Sequence, residues 1–170
     1  PYQAVLIATT GLIVAAIAAF VLYGGGGSGG RGIAAIGGPF TLTDQTGKTR
    51  TERDFNGSYN LIYFGYTFCP DVCPTALQVM TSAIDRLDKG MQAKITPIFI
   101  TIDPARDTVE QLAAYVENFH PRMIGLTGTE EQVVQAARAY RVYYAKAKEN
   151  TGYTTDYLMD HSSFVFLMDP

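Results

Sequence analysis

Residues 61–75 read LIYFGYTFCPDVCPT, and the order of chemistry in this stretch decides the fold. Leu61 to Gly65 is a short apolar and aromatic run, the pattern of a buried strand. Cys69 and Cys73 follow, in a loop punctuated by Pro70 and Pro74. Pro74 suits the first turn of a helix. Leu77, Met80, Ile84 and Leu87 then recur at helical spacing, which predicts a helix over about 74–87. The chain thus passes from strand to dithiol loop to helix within one supersecondary unit.

The flanking sequence extends this unit in both directions. Upstream, Phe40 to Thr43 and Lys48 to Thr51 bracket Asp44-Gln45-Thr46-Gly47, a hairpin signal with glycine closing the turn. Downstream, Ile95 to Ile102 reads as a strand, and Thr108 to Phe119 as a helix with Asp107 and Glu110 placed as a capping pair. Met123 to Leu126 is a short strand. Thr129 to Tyr140 is a helix, with Thr129 and Gln132 spaced as a capping box. Val142 to Lys146 and Phe164 to Met168 complete the strands. Alternating strands and helices imply a mixed or parallel sheet covered on both faces. With a dithiol at the strand-to-helix turn, the fold class is α/β: a thioredoxin-like domain with an N-terminal β-hairpin. Such a sheet normally adds a hairpin partner and a closing helix after a strand in the position of Phe164 to Met168, so residues 39–170 are expected to be a domain whose C-terminal part is missing.

The N-terminal region differs in kind. Ala4 to Tyr23 is twenty residues without a charge. As a helix it would reach about 30 Å, the thickness of a bilayer's hydrocarbon core. It lacks the polar face of a surface helix and exceeds the usual apolar region of a cleaved signal, so residues 4–23 are expected to be one transmembrane anchor. Residues 24–38, GGGGSGGRGIAAIGG, read as a flexible linker, with a GGGGSGG portion that also resembles an engineered one. The 170-residue chain has a net charge of −3 and no Lys/Arg cluster, which argues against a nucleic-acid partner. A dithiol on a tethered domain fits the extracytoplasmic side of an inner membrane, where disulfides persist. That side is the periplasm, or the intermembrane space in a mitochondrion.

Cys69 and Cys73 are the only cysteines. Side chains four apart on a helix hold their Cβ atoms about 5–6 Å apart, whereas a disulfide wants roughly 3.5–4.5 Å. Cys69 is therefore expected in the loop before the helix, where the pair can close to a disulfide or open to chelate one metal ion. Backbone N–H groups at the helix start are expected to lower thiol pKa values. His161 opens the stretch DHSSFVFLM, residues 160–168, in the loop that passes over the dithiol in a thioredoxin-like fold. Two thiols and one imidazole form a ligand set suited to copper. Cys69, Cys73 and His161 are thus the candidate metal ligands, and the two cysteines a candidate redox dithiol. Asp160 is either a hydrogen-bonding partner behind the histidine or a loop charge. Met159 could offer a thioether but reads first as packing. His120 reads as a helix-end residue, and Asp103 to Asp107 as a turn with an ion pair and no catalytic role.

The runs YTFCPDVCPT, TIDPARDTVEQL, IGLTGTEEQV, ARAYRVYY and DHSSFVFLMDP resemble, in order, those of the Sco/SenC family of copper proteins. The resemblance covers about residues 38–170, and the preceding anchor and linker fit the family's layout. It implies Cys69, Cys73 and His161 as ligands of Cu(I) or Cu(II). The implied role is maturation of the dinuclear copper centre in cytochrome c oxidase subunit II, by copper delivery, by reduction of the target's cysteines, or both. The upstream copper donor is not implied. A thiol–disulfide oxidoreductase without copper delivery is the alternative. A peroxiredoxin-type peroxidase fits poorly, because Thr67-Phe-Cys69 has the wrong spacing for a peroxidatic site. A fixed structural disulfide gains little, because so short a loop constrains little chain entropy.

Overall fold

The strand Tyr59–Gly65 and its parallel neighbour Ile95–Thr101 form the centre of the molecule, and both are buried along almost their whole length. Continuous burial is what a strand covered on both faces requires, and Ile62, Tyr63, Phe64, Ile98, Phe99 and Ile100 supply it. The structure is a computed structural model that describes residues 36–147 and 157–170, with Tyr2 and Ala19 besides. The expected anchor, residues 4–23, and the linker up to residue 35 lie outside the described residues, Ala19 excepted. Among the described residues no helix is long and apolar enough to cross a membrane.

In chain order, β1 (Thr41–Asp44) and β2 (Thr49–Thr51) make the expected hairpin, with Gly47 at φ 83° closing it. A 3-10 turn (Glu52–Phe55) leads into β3 (Tyr59–Gly65). Helix α1 (Val72–Asp85) follows, then a short α2 (Lys89–Lys94) and β4 (Ile95–Thr101). Helix α3 (Val109–Val116), β5 (Ile124–Thr127) and α4 (Glu130–Ala139) come next. The described chain ends with β6 (Tyr144–Lys146), β7 (Met159–His161) and β8 (Val165–Met168). The main sheet has the order β2-β1-β5-β4-β3-β8, and β6 pairs with β7 in a separate antiparallel ribbon. Strands β3, β4 and β5 are parallel, whereas β1 and β8 join antiparallel on either side. This is the thioredoxin-like α/β arrangement expected from the sequence.

Register assigns the helices to faces. Tyr63, Phe99 and Gly125 are in line across β3, β4 and β5. Phe99 stacks on Tyr115 just before the end of α3, and an added Cβ on Gly65 would meet Cys73 of α1. Helices α1 and α3 therefore share this face. The opposite face carries Phe64, whose ring packs on Tyr140 after α4 and on Phe166 of β8.

Several expectations differ in detail. Helix α1 begins at Val72, two residues before Pro74, because a proline among the first residues of a helix lacks only an N–H that would have no partner there anyway. It ends at Asp85, so Leu87 falls beyond it and is 39% exposed. Thr108, not Asp107, caps α3: its hydroxyl accepts from the Gln111 N–H. Asp107 instead turns inward and is fully buried. The Thr129–Gln132 capping box on α4 forms as read. The region around Met159 to His161, expected as a loop, is a strand because β6 supplies it with a partner.

Candidate functional site

The parallel strand β3 delivers the chain to the dithiol loop, and the loop is held by hydrogen bonds on both sides. The Cys69 N–H donates to the Tyr66 carbonyl at 3.2 Å. The Thr67 N–H and hydroxyl donate to the Asp107 carboxylate at 3.0 and 2.7 Å, and the Thr101 hydroxyl donates to it at 2.5 Å. Asp107 thus ties the loop after β3 to the loop after β4. Burial raises the Asp107 carboxyl above its ordinary pKa, and the three hydrogen bonds act against that rise.

Cys69 lies in the loop and Cys73 is the second residue of α1. Both are free thiols. The Cys73 N–H, one of the donors a helix start leaves without an intrahelical acceptor, donates to Cys69 Sγ at 3.4 Å. Cys73 itself is wholly buried against β3. Tyr63 Oη donates to its sulfur at 4.0 Å. Gly65 leaves the space the sulfur occupies, for a Cβ there would lie 2.8 Å from Cys73 Sγ. The expected lowering of thiol pKa fails at this residue: burial pushes the Cys73 thiol up to about 12. The desolvation of a thiolate at the sheet surface outweighs the helix start, whose N–H is aimed at the other sulfur.

His161 ends β7 and faces this pair. Its Nε2 is 3.5 Å from Cys73 Sγ, and its Nδ1 is 3.1 Å from the Ser162 carbonyl oxygen. A carbonyl only accepts, so Nδ1 carries the proton and Nε2 presents its lone pair to the Cys73 sulfur. The rings of Tyr63 and Tyr66 meet the imidazole edge-on, each with centroids 6.1 Å away. The Met159 N–H donates to Tyr66 Oη at 3.2 Å, which joins β7 to the start of the dithiol loop. Among the described residues, no three His, Cys, Asp or Glu side chains are already closed around a single point. Cys73 is the shared neighbour that contacts each of the other two.

Of the two readings of Asp160, the geometry fits the surface charge. It is exposed and alternates to the other side of β7 from His161, whose orienting bond comes from Ser162. Met159 packs against the core. His120 is buried after α3, its Nδ1 accepting from the Arg122 N–H at 3.1 Å. Beside the dithiol lies an open cleft of about 640 Å³, lined by Tyr66, Cys69, Val72, Tyr143, Leu158 and Met159 among others. Gly65 and Tyr63 support the Cys73 sulfur and Asp107 the loop before it. Sequence reasoning gave none of them that role, although Asp107 stands in the run TIDPARDTVEQL and Gly65 ends an otherwise bulky strand.

The description SCO1/SenC belongs to the family model that matches residues 29–170. The mitochondrial "Protein SCO1 homolog" of Homo sapiens is 48% identical over 136 residues, covering 79% of this chain and 44% of that protein. Arabidopsis thaliana ScoI, solved with copper bound, is similar at a TM-score of 0.72 and 45% identity, over 79% of this chain and 82% of that one. Bradyrhizobium japonicum ScoI, also solved with copper bound, gives 0.73 and 43%, over 79% and 83%. The chain spans about half the length of the curated relatives it matches.

Proposed function

Since this chain belongs to the SCO1/SenC family, we propose that it is a copper-handling protein of cytochrome c oxidase assembly, with copper as its cargo. The observation that carries this reading is the Cys73 residue, whose sulfur lies 3.5 Å from His161 Nε2 and whose backbone N–H donates to Cys69 Sγ. Two sulfurs and a neutral imidazole are the donors that copper favours. The donor set fits the metal, and Cys69, Cys73 and His161 would hold it. Copper solved in two ScoI relatives at more than 40% identity supports the same assignment. Loading requires the thiols to give up their protons. The residues around the site then act as a frame: Ser162 orients the imidazole, while Gly65 and Tyr63 seat the Cys73 sulfur.

The partner in this reading is subunit II of the oxidase, or the oxidase complex. The domain sits on the periplasmic or intermembrane-space side, held by residues 4–23. A second reading, thiol–disulfide exchange with a partner's cysteines, draws on the same adjacency of the two sulfurs. Titration of the reduced full chain with Cu(I) under competition, and with Cu(II) by electron paramagnetic resonance, tests the first. One tight equivalent is expected, weakened in Cys69→Ser, Cys73→Ser and His161→Ala. Weak binding that is indifferent to all three substitutions would leave the exchange reading in its place.

A further inference from the structure

The loop after β4, Asp103 to Asp107, carries no donor to the candidate site, yet its side chains reach the segment that bears His161. Tyr157, four residues before His161, is buried, and its hydroxyl donates to Asp103 Oδ1 at 2.6 Å. The Arg106 guanidinium lies 3.7 Å from the centroid of the Tyr157 ring and donates from Nε to Asp103 Oδ2 at 2.6 Å. The same guanidinium lies 4.6 Å from the Phe68 ring and 5.7 Å from the Tyr66 ring, both in the dithiol loop. Lys146 Nζ of β6 lies 4.2 Å from the Tyr157 ring. One largely shielded ion pair therefore touches the loop that carries Cys69 and the residue that leads into β7, and that residue in turn meets Lys146 of the strand that pairs with β7.

We infer that Tyr157, Asp103 and Arg106 form a clamp that positions His161 against the dithiol. This inference rests on the preceding reading of Cys69, Cys73 and His161 as one site, and it assigns that site its positioning residues. Three features carry it. The contacts are directional, because the tyrosine hydroxyl and the guanidinium bind different oxygens of one carboxylate. They are shielded, because Asp103 is 4% exposed and Tyr157 8%. They also tie the β6–β7 ribbon, which lies outside the main sheet, to the loop after β4, beside the Met159–Tyr66 bond and the contacts of His161 with Cys73, Tyr63 and Tyr66. A mere ion pair on a turn would need neither the aromatic stack nor the tyrosine.

Hydrogen–deuterium exchange on the full, metal-free chain tests the clamp. Tyr157→Phe removes only the bond to Asp103, and Tyr157→Leu also removes the ring under Arg106. Exchange at Met159 to His161 is expected to rise about tenfold in the first variant and further in the second, with β3 and β4 amides unchanged. Unchanged β7 exchange, or equal acceleration in β3 and β4, overturns the clamp. The Cu(II) spectrum supplies the second readout. In Tyr157→Phe its imidazole signature is expected to weaken and broaden, short of the loss in His161→Ala. If His161→Ala itself leaves the spectrum intact, the ligand reading falls, and the metal-free exchange still decides the clamp.

Discussion

Gly65→Ala should disable metal binding by crowding a sulfur rather than by removing one. An alanine Cβ at this position would lie 2.8 Å from Cys73 Sγ, 3.0 Å from Phe99 Cε2 and 3.0 Å from Tyr63 Cε1. Non-bonded carbons rest at about 3.5–4.0 Å, so each neighbour must yield by roughly half an ångström or more. None can yield freely, because Cys73, Phe99 and Tyr63 are all wholly buried. Overpacking of this kind costs about 1–3 kcal/mol, which predicts a fall in Tm of roughly 3–12 °C for a domain of this size. The sulfur is the smallest obstacle, and rotating it away breaks the 3.5 Å approach to His161. Copper affinity should therefore fall together with stability. Gly125→Ala is the control, since its Cβ would meet Leu112 at 2.7 Å and Val116 at 2.9 Å, away from the sulfurs. Urea unfolding and copper competition on both variants separate the effects. Equal destabilisation in the two, with normal copper binding in Gly65→Ala, would refute the sulfur argument. Stability within about 0.5 kcal/mol of the parent would refute the crowding itself.

Two predictions concern carboxylates. Asp44 is buried, which by itself would raise its pKa, but bonds from Thr46, Arg50 and Lys48 prevail and lower it from 3.8 to about 2. Its contribution of about 2 kcal/mol should be complete above pH 4 and lost as pH falls towards 2. Unfolding free energies in that window should slope in the parent and flatten in Asp44→Asn. The buried Asp107 runs the other way: its pKa is raised, so the penalty for ionising it is relieved as pH falls. Asp107→Asn replaces one of the two acceptor oxygens that serve the Thr67 N–H and the Thr67 and Thr101 hydroxyls with an NH2 donor. It should loosen the dithiol loop, cost about 1–3 kcal/mol and speed alkylation of Cys69; an unchanged alkylation rate would disprove the link to the loop.

Local signals made most of the fold legible. The hairpin, the strands β3 and β4, and the Thr129–Gln132 box all express short-range rules that tertiary packing did not override. Helix α2 escaped because Lys89–Lys94 contains Gly90 and buries no residue, so it has no apolar periodicity to read. The β6–β7 ribbon escaped because its pairing spans residues distant in sequence. At the site, residue types revealed the three candidate donors, but their surroundings were not readable. Proximity to a helix start suggested an acidic thiol at Cys73, whereas depth of burial, a three-dimensional property, pushes the thiol up. Asp107 looked like a cap because of its spacing from Glu110, and only the fold shows Thr67 and Thr101 converging on it.

The two sulfurs are inequivalent, and this orders any exchange reaction they undergo. Cys69 lines the open cleft and accepts a helix-start N–H, while Cys73 lies beneath it, wholly buried between Gly65, Tyr63 and His161. A disulfide or an electrophile entering by the cleft meets Cys69 first. Reaction at Cys73 requires the loop or β7 to move aside. Cys69 should therefore be alkylated at least about tenfold faster than Cys73. In Cys73→Ser, a small disulfide such as oxidised glutathione should leave a persistent mixed disulfide on Cys69, with one glutathione thiolate released. With Cys73 present, it loses its proton and attacks that mixed disulfide as the thiolate, closes the Cys69–Cys73 bond and releases the second glutathione, whose thiolate takes up a proton. Peptide mass spectrometry after brief exposure distinguishes the sites. Faster labelling of Cys73, or no mixed disulfide in Cys73→Ser, would mean that the cleft is not the route of entry. Cys73 would then have to be the outward sulfur, contrary to its position beneath Cys69.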